Sequence, residues 1–400
     1  NGVGLYVYNY QGIHTPLIKQ NAVYNNGSHG IACDRNSYYA YKHLFRPEIT
    51  LNDVHDNGRH GLSITTSQFA TVVHNGIYNN TNNGIYLTNT TDVSRINFNN
   101  LYGNNGDYAL HNNGSGLVDA RYNWWDTVPT QEMEAGNNPK NITRLFDIYD
   151  DGSKGTVDYS HWLSASQTLA TDATSWITAP ADGETLKAAT YRIEGAATAP
   201  TDIERVEIST DGGATWHAAS GTLYWHYDWT VPGDGTYAIQ ARVVNTDGTT
   251  QTTAASHSIT IDNSIPHNAG ILVADETWSG TVPLNGDIII PEGVSLTLLP
   301  GTTVTFDRLL DSMHGGDDPN RIEIIVHGTL LSQGTAAEPV VMTSALPPKN
   351  KSDWGGIKVT GTLDLAYTTL EYGDYGVYCE SKTSAARCGV QNSTVHLMGT

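Results

Sequence analysis

One phrase recurs near the start of the chain, as Asn21-Ala-Val-Tyr-Asn25, Asn52-Asp-Val-His-Asp56 and Asn75-Gly-Ile-Tyr-Asn79. After five further residues each copy reaches a glycine and an aliphatic residue: Gly30-Ile31, Gly61-Leu62 and Gly84-Ile85. The copies begin 31 and then 23 residues apart, and we assign the excess to an insertion around Tyr38–Arg46. A fainter copy, Asn100-Leu-Tyr-Gly-Asn104, predicts Tyr108 at the place of the isoleucine.

These phrases predict short strands separated by Asn and Gly corners, because both residues tolerate the left-handed backbone of such corners. Asparagine side chains at equivalent corners of stacked coils can hydrogen-bond from coil to coil, which accounts for their recurrence. The repeat resembles the right-handed parallel β-helix, whose coils take roughly 22–25 residues, whereas a propeller blade takes about 40–45.

The β-helix pattern closes with an aromatic segment, Ala120-Arg-Tyr-Asn-Trp-Trp-Asp126, followed by a stretch that runs to Leu163. The segment resembles the ending of many secreted β-helix proteins, in which aromatic residues cover the last coil. Trp124 and Trp125 carry the apolar area that such a cover needs. The alternative for the two tryptophans is a platform on which sugar rings stack.

The middle of the chain predicts an immunoglobulin-like β-sandwich. Its strand signals include Ile203-Glu-Arg-Val-Glu-Ile-Ser209 and Tyr237-Ala-Ile-Gln-Ala-Arg-Val-Val244, with turns at Asp211-Gly and Asp247-Gly. The region also resembles the sandwich that dimerises sulfite oxidases, a likeness that implies only a sandwich because the chain has no molybdenum-binding domain.

The last part starts a second β-helix with Asp287-Ile-Ile-Ile290 and Ile322-Glu-Ile-Ile-Val326 among its strands. We therefore predict an all-β chain: a right-handed parallel β-helix split between the two ends, plus one immunoglobulin-like β-sandwich. The expected domains are 1–165 (last coils and cap), 168–264 (sandwich) and 268–400 (first coils).

Composition narrows the function classes. Lys and Arg number 21 against 41 Asp and Glu, a formal net charge of −20. This charge would repel phosphate backbones, so we expect no nucleic-acid partner. No run of 18 apolar residues occurs, so no transmembrane segment is expected. The acidity fits an extracellular or cell-surface protein, and without an initiator methionine we expect a mature product or an excised piece.

The three cysteines support export. Cys379 and Cys388 lie nine positions apart, which fits a disulfide-closed loop in an oxidising compartment. The alternative is a pair of free buried thiols. Cys33 is left without a predicted role.

The two ends of the sequence fit each other. Gln391-Asn-Ser-Thr-Val-His-Leu-Met-Gly-Thr400 followed by Asn1-Gly-Val-Gly-Leu-Tyr-Val7 reads as one coil phrase. We therefore expect partners that are copies of the same protein, arranged head to tail, through Asn1, Gly2, Val3, Leu5, Val395, Leu397 and Thr400. Contacts of this kind do not close and make filaments. The copies are either docked chains or periods of one tandem-repeat polypeptide; the alternative is a piece of a longer single-copy surface protein.

The resemblance also allows an enzymatic function, because pectate lyases and polygalacturonases share the β-helix. The resemblance implies clustered Asp with an Arg base, or paired Asp with Gly-His-Gly and Arg-Ile-Lys, and neither set is present. The best catalytic candidates are His55, Asp56, Arg59 and His60, which place acid, base and cation within six residues. The alternative function is accordingly binding or cleavage of an acidic polysaccharide.

Calcium is the one cofactor that the sequence suggests. Asp311, Asp317 and Asp318 share one oxygen-rich loop, and Asp147, Asp150 and Asp151 share another. Neither loop has EF-hand spacing, and the alternative in both is a solvated acidic loop. Taken together, the sequence predicts an extracellular structural protein that builds a filament by end-to-end continuation of its β-helix.

Overall fold

The structure is a computed structural model. It describes residues 2–10, 14–35, 45–65, 70–90, 94–167, 173–188, 190–308, 311–345, 349–380 and 386–399. The chain forms two compact units, residues 1–171 and 172–400. The sandwich and the second β-helix, which we expect as separate domains, therefore pack within one unit.

The first unit is a parallel β-helix with a single helix, α1, at Thr127–Glu134 within its described part. Its strands β1 to β16 are, in chain order, Leu5–Asn9, Leu17–Lys19, Ala22–Tyr24, Ile31–Arg35, Glu48–Thr50, Asp53–His55, Leu62–Thr65, Thr71–Val73, Gly76–Tyr78, Ile85–Thr88, Ser94–Asn97, Asn100–Tyr102, Leu110–Asn113, Val118–Asp119, Leu145–Phe146 and Val157–Asp158.

These strands stack into three parallel sheets, ordered β1-β4-β7-β10-β13-β15, β2-β5-β8-β11-β14-β16 and β3-β6-β9-β12. The repeated phrases form the third sheet in register, with Val23 opposite Val54 and Val54 opposite Ile77. The prediction for Tyr108 was wrong, because Ile85 pairs with Leu110. The corner from Tyr102 to Leu110 is one residue longer than that from Tyr78 to Ile85, and Tyr108 lies two positions before the residue that pairs.

The corners explain the residue types in the phrase. Asn25, Asp56 and Asn79 each follow a strand of the third sheet with φ of 55°, 52° and 53°. Asparagine and aspartate enter this left-handed region more readily than other side chains. At Gly61 a Cβ would lie 2.8 Å from the carbonyl oxygen of Gly84, so the close approach of successive coils requires glycine.

The core of the first unit is a column of aliphatic side chains between the sheets. Val54, Ile77 and Leu101 of the third sheet are fully buried there. Burying each such side chain contributes about 1.5–3 kcal/mol. Trp125, Met133 of α1 and other residues of the closing segment join the same core.

The second unit begins with the sandwich. Its strands β17 to β25 are Thr174–Ala179, Thr185–Leu186, Thr190–Thr198, Ile203–Ser209, His217–Ala218, Ser220–Gly221, Tyr224–Thr230, Gly235–Asn245 and Ala255–Ile261. They form two facing sheets, β17-β19-β23-β22 and β18-β25-β24-β20-β21. Tyr191, Trp225 and Ile239 are buried between them.

The second β-helix follows. Its strands β26 to β40 are Gly270–Ile271, Glu276–Trp278, Thr281–Leu284, Ile288–Ile290, Ser295–Leu298, Thr303–Phe306, Glu323–Val326, Thr329–Gln333, Val340–Ser344, Gly356–Val359, Thr362–Ala366, Thr368–Glu371, Val377–Cys379, Arg387–Gln391 and Thr394–His396. They form three parallel sheets, ending in β38, β39 and β40. The predicted all-β fold with parallel coils and one sandwich is confirmed.

The sandwich packs against the first coil of this β-helix. Ala269, just before β26, belongs to the buried core of the sandwich. The Lys187 ammonium group lies 2.6 Å from Oε1 of Glu276, and the same oxygen lies 2.6 Å from Nδ1 of His267. These bonds lower the pKa of Glu276 to about 2 against the opposing effect of its burial. The sandwich thus covers one end of the second β-helix.

Candidate functional site

A column of buried asparagines joins the coils of the first unit. The first asparagine ladder consists of Asn21, Asn52, Asn75, Asn99 and Asn123, one residue per coil. Each side-chain amide Nδ2 donates to Oδ1 of the next member at 2.9–3.0 Å. The backbone N–H of each donor also reaches that oxygen. A second ladder, Asn26, Asn57, Asn80 and Asn104, repeats the arrangement at another corner.

The ladders have a direction. Every Oδ1 from Asn52 to Asn123 accepts hydrogen bonds from the preceding coil. Within the described residues, no donor reaches Oδ1 of Asn21, which belongs to the first coil. Unit 1 therefore has an end at which the ladder still offers an acceptor.

Outside the coils, one face of the third sheet carries an aromatic stack, defined by Tyr24, His55, Tyr78, Tyr102 and Trp124. Its ring centroids are 5.1, 4.8, 4.7 and 5.3 Å apart in that order. The first four rings are within 7° of parallel. Their faces contact each other, so the inner rings do not present faces on which a sugar could stack.

The catalytic candidates are divided between two such stacks. His55 lies in the aromatic stack, where its Nδ1 is 2.6 Å from Oδ2 of Asp56. His60 stacks between His29 and Tyr86 with centroids 5.2 and 4.8 Å away. The five-residue spacing of the two histidines crosses a corner of the coil, so the two rings lie in different stacks.

The electrostatics of His60 do not suit a general base near neutral pH. Its Nδ1 accepts the backbone N–H of Asn83 at 3.2 Å. Burial and the nearby His29, His111 and Arg59 lower the pKa of His60 to about 4. An efficient general base has a pKa near the working pH. His60 is therefore a neutral member of a stack in this structure.

The calcium candidates Asp311, Asp317 and Asp318 form separate contacts. Both carboxylate oxygens of Asp317 lie 2.6 Å from the Lys358 ammonium group, and Asp318 pairs with Arg321. Asp311 is buried and accepts the backbone N–H of Asp287 and of Met313. In the part of the chain that the structure describes, no three His, Cys, Asp or Glu side chains are arranged to hold a metal ion.

A buried acidic cluster does occur nearby, formed by Asp287, Asp311 and Glu323. Asp287 Oδ1 accepts the backbone N–H of Glu323 at 2.6 Å, and Glu323 Oε1 accepts the hydroxyl of Tyr375 at 2.7 Å. Burial and the facing Asp311 raise the pKa of Asp287 to about 8. Burial likewise raises the pKa of Asp311 to about 6. Sequence reasoning missed Asp287 and Glu323 because each stands alone beside an aliphatic strand.

The loop between β31 and β32 contacts the sandwich. His314 Nε2 lies 2.6 Å from Oε1 of Glu194, and this carboxylate raises the pKa of the histidine. Met313 packs against the sandwich core, and Asn285 donates to Glu184. Charged and buried groups thus connect the loop, the β-helix and the sandwich within unit 2.

In each β-helix, one outer coil edge pairs with no other described strand. In the first unit, Leu17 and Tyr24 of the first coil are 60% and 52% exposed. In the second unit every residue of β39 and β40 is exposed, including Val390 at 50% and Val395 at 49%. These two surfaces, β1–β3 and β38–β40, are here called the first-coil edge and the last-coil edge.

Of the predicted interface residues that are described, Leu5 lies in β1 and Val395 in β40, whereas Gly2 and Val3 precede β1 and Leu397 follows β40. Gly2 is exposed, Val3 and Leu5 are half-buried, and Val395 and Leu397 are exposed. Asn1 and Thr400 lie outside the described residues. Cys379, at the end of β38, forms a disulfide with Cys388 of β39, so the last-coil edge carries a covalent link between two of its strands. Burial raises the pKa of Cys33 to about 12 and leaves it an unreactive thiol.

Comparisons with known proteins agree with this geometry. Residues 1–101 match the right-handed β-helix region family, and residues 270–369 match the pectate-lyase-like β-helix domain. Residues 174–261 match the bacterial Ig domain. Right-handed β-helix segments flank a bacterial Ig-like domain. The matches support the resemblance drawn from the sequence.

No match is found among curated proteins. Among solved structures, the chain is similar to an engineered protein solved by crystallography at 1.98 Å. The likeness has 15% identity and a TM-score of 0.19, and it covers 38% of this chain and 41% of that one. A likeness at this level carries no argument.

Pectate-lyase-like β-helices and bacterial Ig domains are typical of secreted proteins, and together they indicate a surface or pectate-lyase-like protein. Within the described residues, no helix combines the length and apolar character that a membrane crossing requires.

Proposed function

We propose that this protein is an extracellular structural protein of a cell surface, and that its β-helices extend by end-to-end stacking into a filament. The observation that carries the proposal is the pair of uncovered coil edges. No further described strand pairs with either edge, exposed aliphatic side chains lie on both, and exposed strand edges pair readily with another chain.

The mechanism is mechanical. Coil-to-coil hydrogen bonds of the asparagine ladders and the aliphatic column stiffen each β-helix. The bacterial Ig-like domain covers the other end of the second β-helix and acts as a spacer or lateral bonding module. Contacts between unlike surfaces that do not close on themselves produce an open filament rather than a ring-shaped oligomer.

Polysaccharide binding or cleavage around His55, Asp56, Arg59 and His60 is the alternative function. The separation of His55 and His60 into two stacks and the lowered pKa of His60 do not favour it. A reduction in polymer length by the unmodified protein, abolished in a His55→Ala variant, would establish this alternative.

Sedimentation velocity of the full chain over a range of protein concentrations tests the proposal, with electron microscopy of the largest species. We expect concentration-dependent, salt-tolerant linear assemblies with a regular axial repeat. A monomer at every concentration would overturn the proposal.

A further inference from the structure

The corner before the last strand has the same length and the same backbone conformation on both coil edges. We propose that the last-coil edge of one copy seats on the first-coil edge of a second copy in one register, with Ser393 opposite Asn21 and His396 opposite Tyr24. This inference rests on the proposed end-to-end assembly and assigns its contacts residue by residue.

The corner before the last strand is the same on both edges. On the first-coil edge, β2 ends at Lys19, Gln20 has φ of 59°, and β3 begins at Ala22. On the last-coil edge, β39 ends at Gln391, Asn392 has φ of 51°, and β40 begins at Thr394. Equal turn length and equal backbone conformation place Ser393 at the position of Asn21.

Ser393 also makes the hydrogen bonds of a ladder residue. Asn52 Nδ2 donates to the carbonyl two residues before it, on Thr50, and to that of Ile18 in the preceding coil. The Ser393 hydroxyl has one hydrogen and faces the equivalent pair of carbonyl oxygens, that of Gln391 two residues before it at 2.9 Å and that of Leu365 in the preceding coil at 3.5 Å.

Ser393 also accepts a hydrogen bond in the way that an asparagine of the ladder does. The backbone N–H of Asn52 donates to Oδ1 of Asn75, and the backbone N–H of Thr368 donates to Oγ of Ser393 at 3.0 Å. Ser332, Thr368 and Ser393 therefore form a hydroxyl ladder, in which the bond from Thr368 to Ser393 has the direction of the first asparagine ladder and either hydroxyl can donate between Ser332 and Thr368.

Joining the ladders in this register satisfies the groups at the first-coil edge. The backbone N–H of Ser393 meets the open Oδ1 of Asn21, as the N–H of Asn52 meets Asn75. The Asn21 amide then faces the carbonyl of Val390, because Asn52 and Asn75 donate to the carbonyl three positions before the ladder residue of the preceding coil. A shift of one residue would reverse the inward and outward faces of every strand.

The same register continues the apolar column and the aromatic stack. Val395 lies over Val23, so an aliphatic side chain that is 49% exposed meets the inward face of β3. His396 lies over Tyr24, the first ring of the aromatic stack, whose outer face is otherwise exposed. Histidine already stands between two tyrosines of this stack at His55, with ring centroids 5.1 and 4.8 Å away.

Cysteine cross-linking in the assembled full-length protein tests the register. Ala22→Cys protein is mixed with Thr394→Cys protein, oxidised under mild conditions and analysed on non-reducing denaturing gels. Ala22 and Thr394 are exposed, and the proposed register makes them direct neighbours. The shifted control mixes Ala22→Cys with His396→Cys, whose Cα atoms would be more than about 7 Å apart and beyond disulfide reach.

We expect a covalent heterodimer in the first mixture at least tenfold above that in the control, and none from either protein alone. Linear assemblies with cross-links mainly in the control mixture would overturn this register and leave the proposed function standing. Absence of assembly by sedimentation, together with absence of cross-links in both mixtures, would overturn both.

Discussion

The side-chain amide of Asn52 donates to Oδ1 of Asn75 at 3.0 Å, although 23 residues separate the two along the chain. Both residues are fully buried. The same oxygen also accepts the backbone N–H of Asn52, so one side chain satisfies two buried donors of the neighbouring coil. This contact repeats through the first unit and makes the ladder a structural element.

We expect Asn75→Ala to destabilise the first unit by about 3–5 kcal/mol, because several buried polar groups lose partners at about 1–3 kcal/mol each. The change can be measured by hydrogen exchange of the β6 and β9 amides in the full chain. Asn105→Ala is the control, since Asn105 is exposed on the same β-helix and should change stability by no more than about 0.5 kcal/mol. Equal effects of the two substitutions would contradict the role of the ladder.

Acid should destabilise the first unit. Burial lowers the pKa of His74 to about 3, so the folded protein keeps this ring neutral while the unfolded chain protonates it near pH 6.5. The stabilisation is therefore complete above about pH 6.5 and is lost as the pH falls towards 3. A thermal unfolding series from pH 7 to 4 should show the loss in signals from unit 1.

His74→Phe should remove much of this acid sensitivity. His74 and Phe98 stack with centroids 5.1 Å apart, and both have φ of 57°, so phenylalanine is already accommodated at the equivalent corner one coil away. We expect the variant to gain about 2–3 kcal/mol over the unmodified protein between pH 7 and pH 4. An unchanged pH profile would show that other groups govern acid unfolding.

The second unit should instead lose stability as the pH rises. The raised pKa of Asp287, about 8, and of Asp311, about 6, means that the folded protein holds protons that the unfolded chain releases near pH 4. Their contribution to stability is complete below about pH 4 and is lost as the pH rises through 8. Glu194, His314 and Glu323 face the same region as the pair.

Asp287→Asn should flatten this profile, since the amide oxygen can still accept the N–H of Glu323 and no proton is needed. At pH 8 we expect the variant to be more stable than the unmodified protein by about 1–3 kcal/mol. Thermal unfolding of the sandwich and second β-helix at pH 5 and pH 8 measures the difference. A variant that is less stable at both values would contradict the assigned protonation.

Part of this architecture is readable from the sequence for a physical reason. A β-helix repeats one set of corner constraints per coil, so the Asn and Gly positions recur and reveal the period. The position predicted for Tyr108 was wrong by two residues, and the longer corner after Tyr102 accounts for one of them. Leu110, preceded by a small residue as Ile85 is, marks the true position.

The site was less accessible to sequence reasoning. His55 and His60 are neighbours in sequence, yet a corner sends them to different stacks. Asp287 and Glu323 are far apart in sequence, and only coil stacking places the N–H of Glu323 on Asp287. The number of residues between two side chains that stack in neighbouring coils depends on the loop lengths, and these lengths do not repeat. No sequence pattern therefore indicated the acidic cluster.

Asn21 connects the ladder to the proposed assembly. We expect Asn21→Ala to weaken end-to-end association about tenfold, the equivalent of about 1.4 kcal/mol, because Ser393 loses its acceptor. Sedimentation velocity at matched concentrations gives the change, and Asn105→Ala again serves as the control. Assembly that is equally strong in both variants would contradict the junction.

Cryo-electron microscopy of the assembled native protein tests the central claim most directly. The account predicts continuous density from β38–β40 of one copy into β1–β3 of the next, with the three sheets unbroken and an interval of about 4.8 Å between the joined strands. Copies that contact each other through the sandwich alone, with both coil edges exposed to solvent, would contradict it.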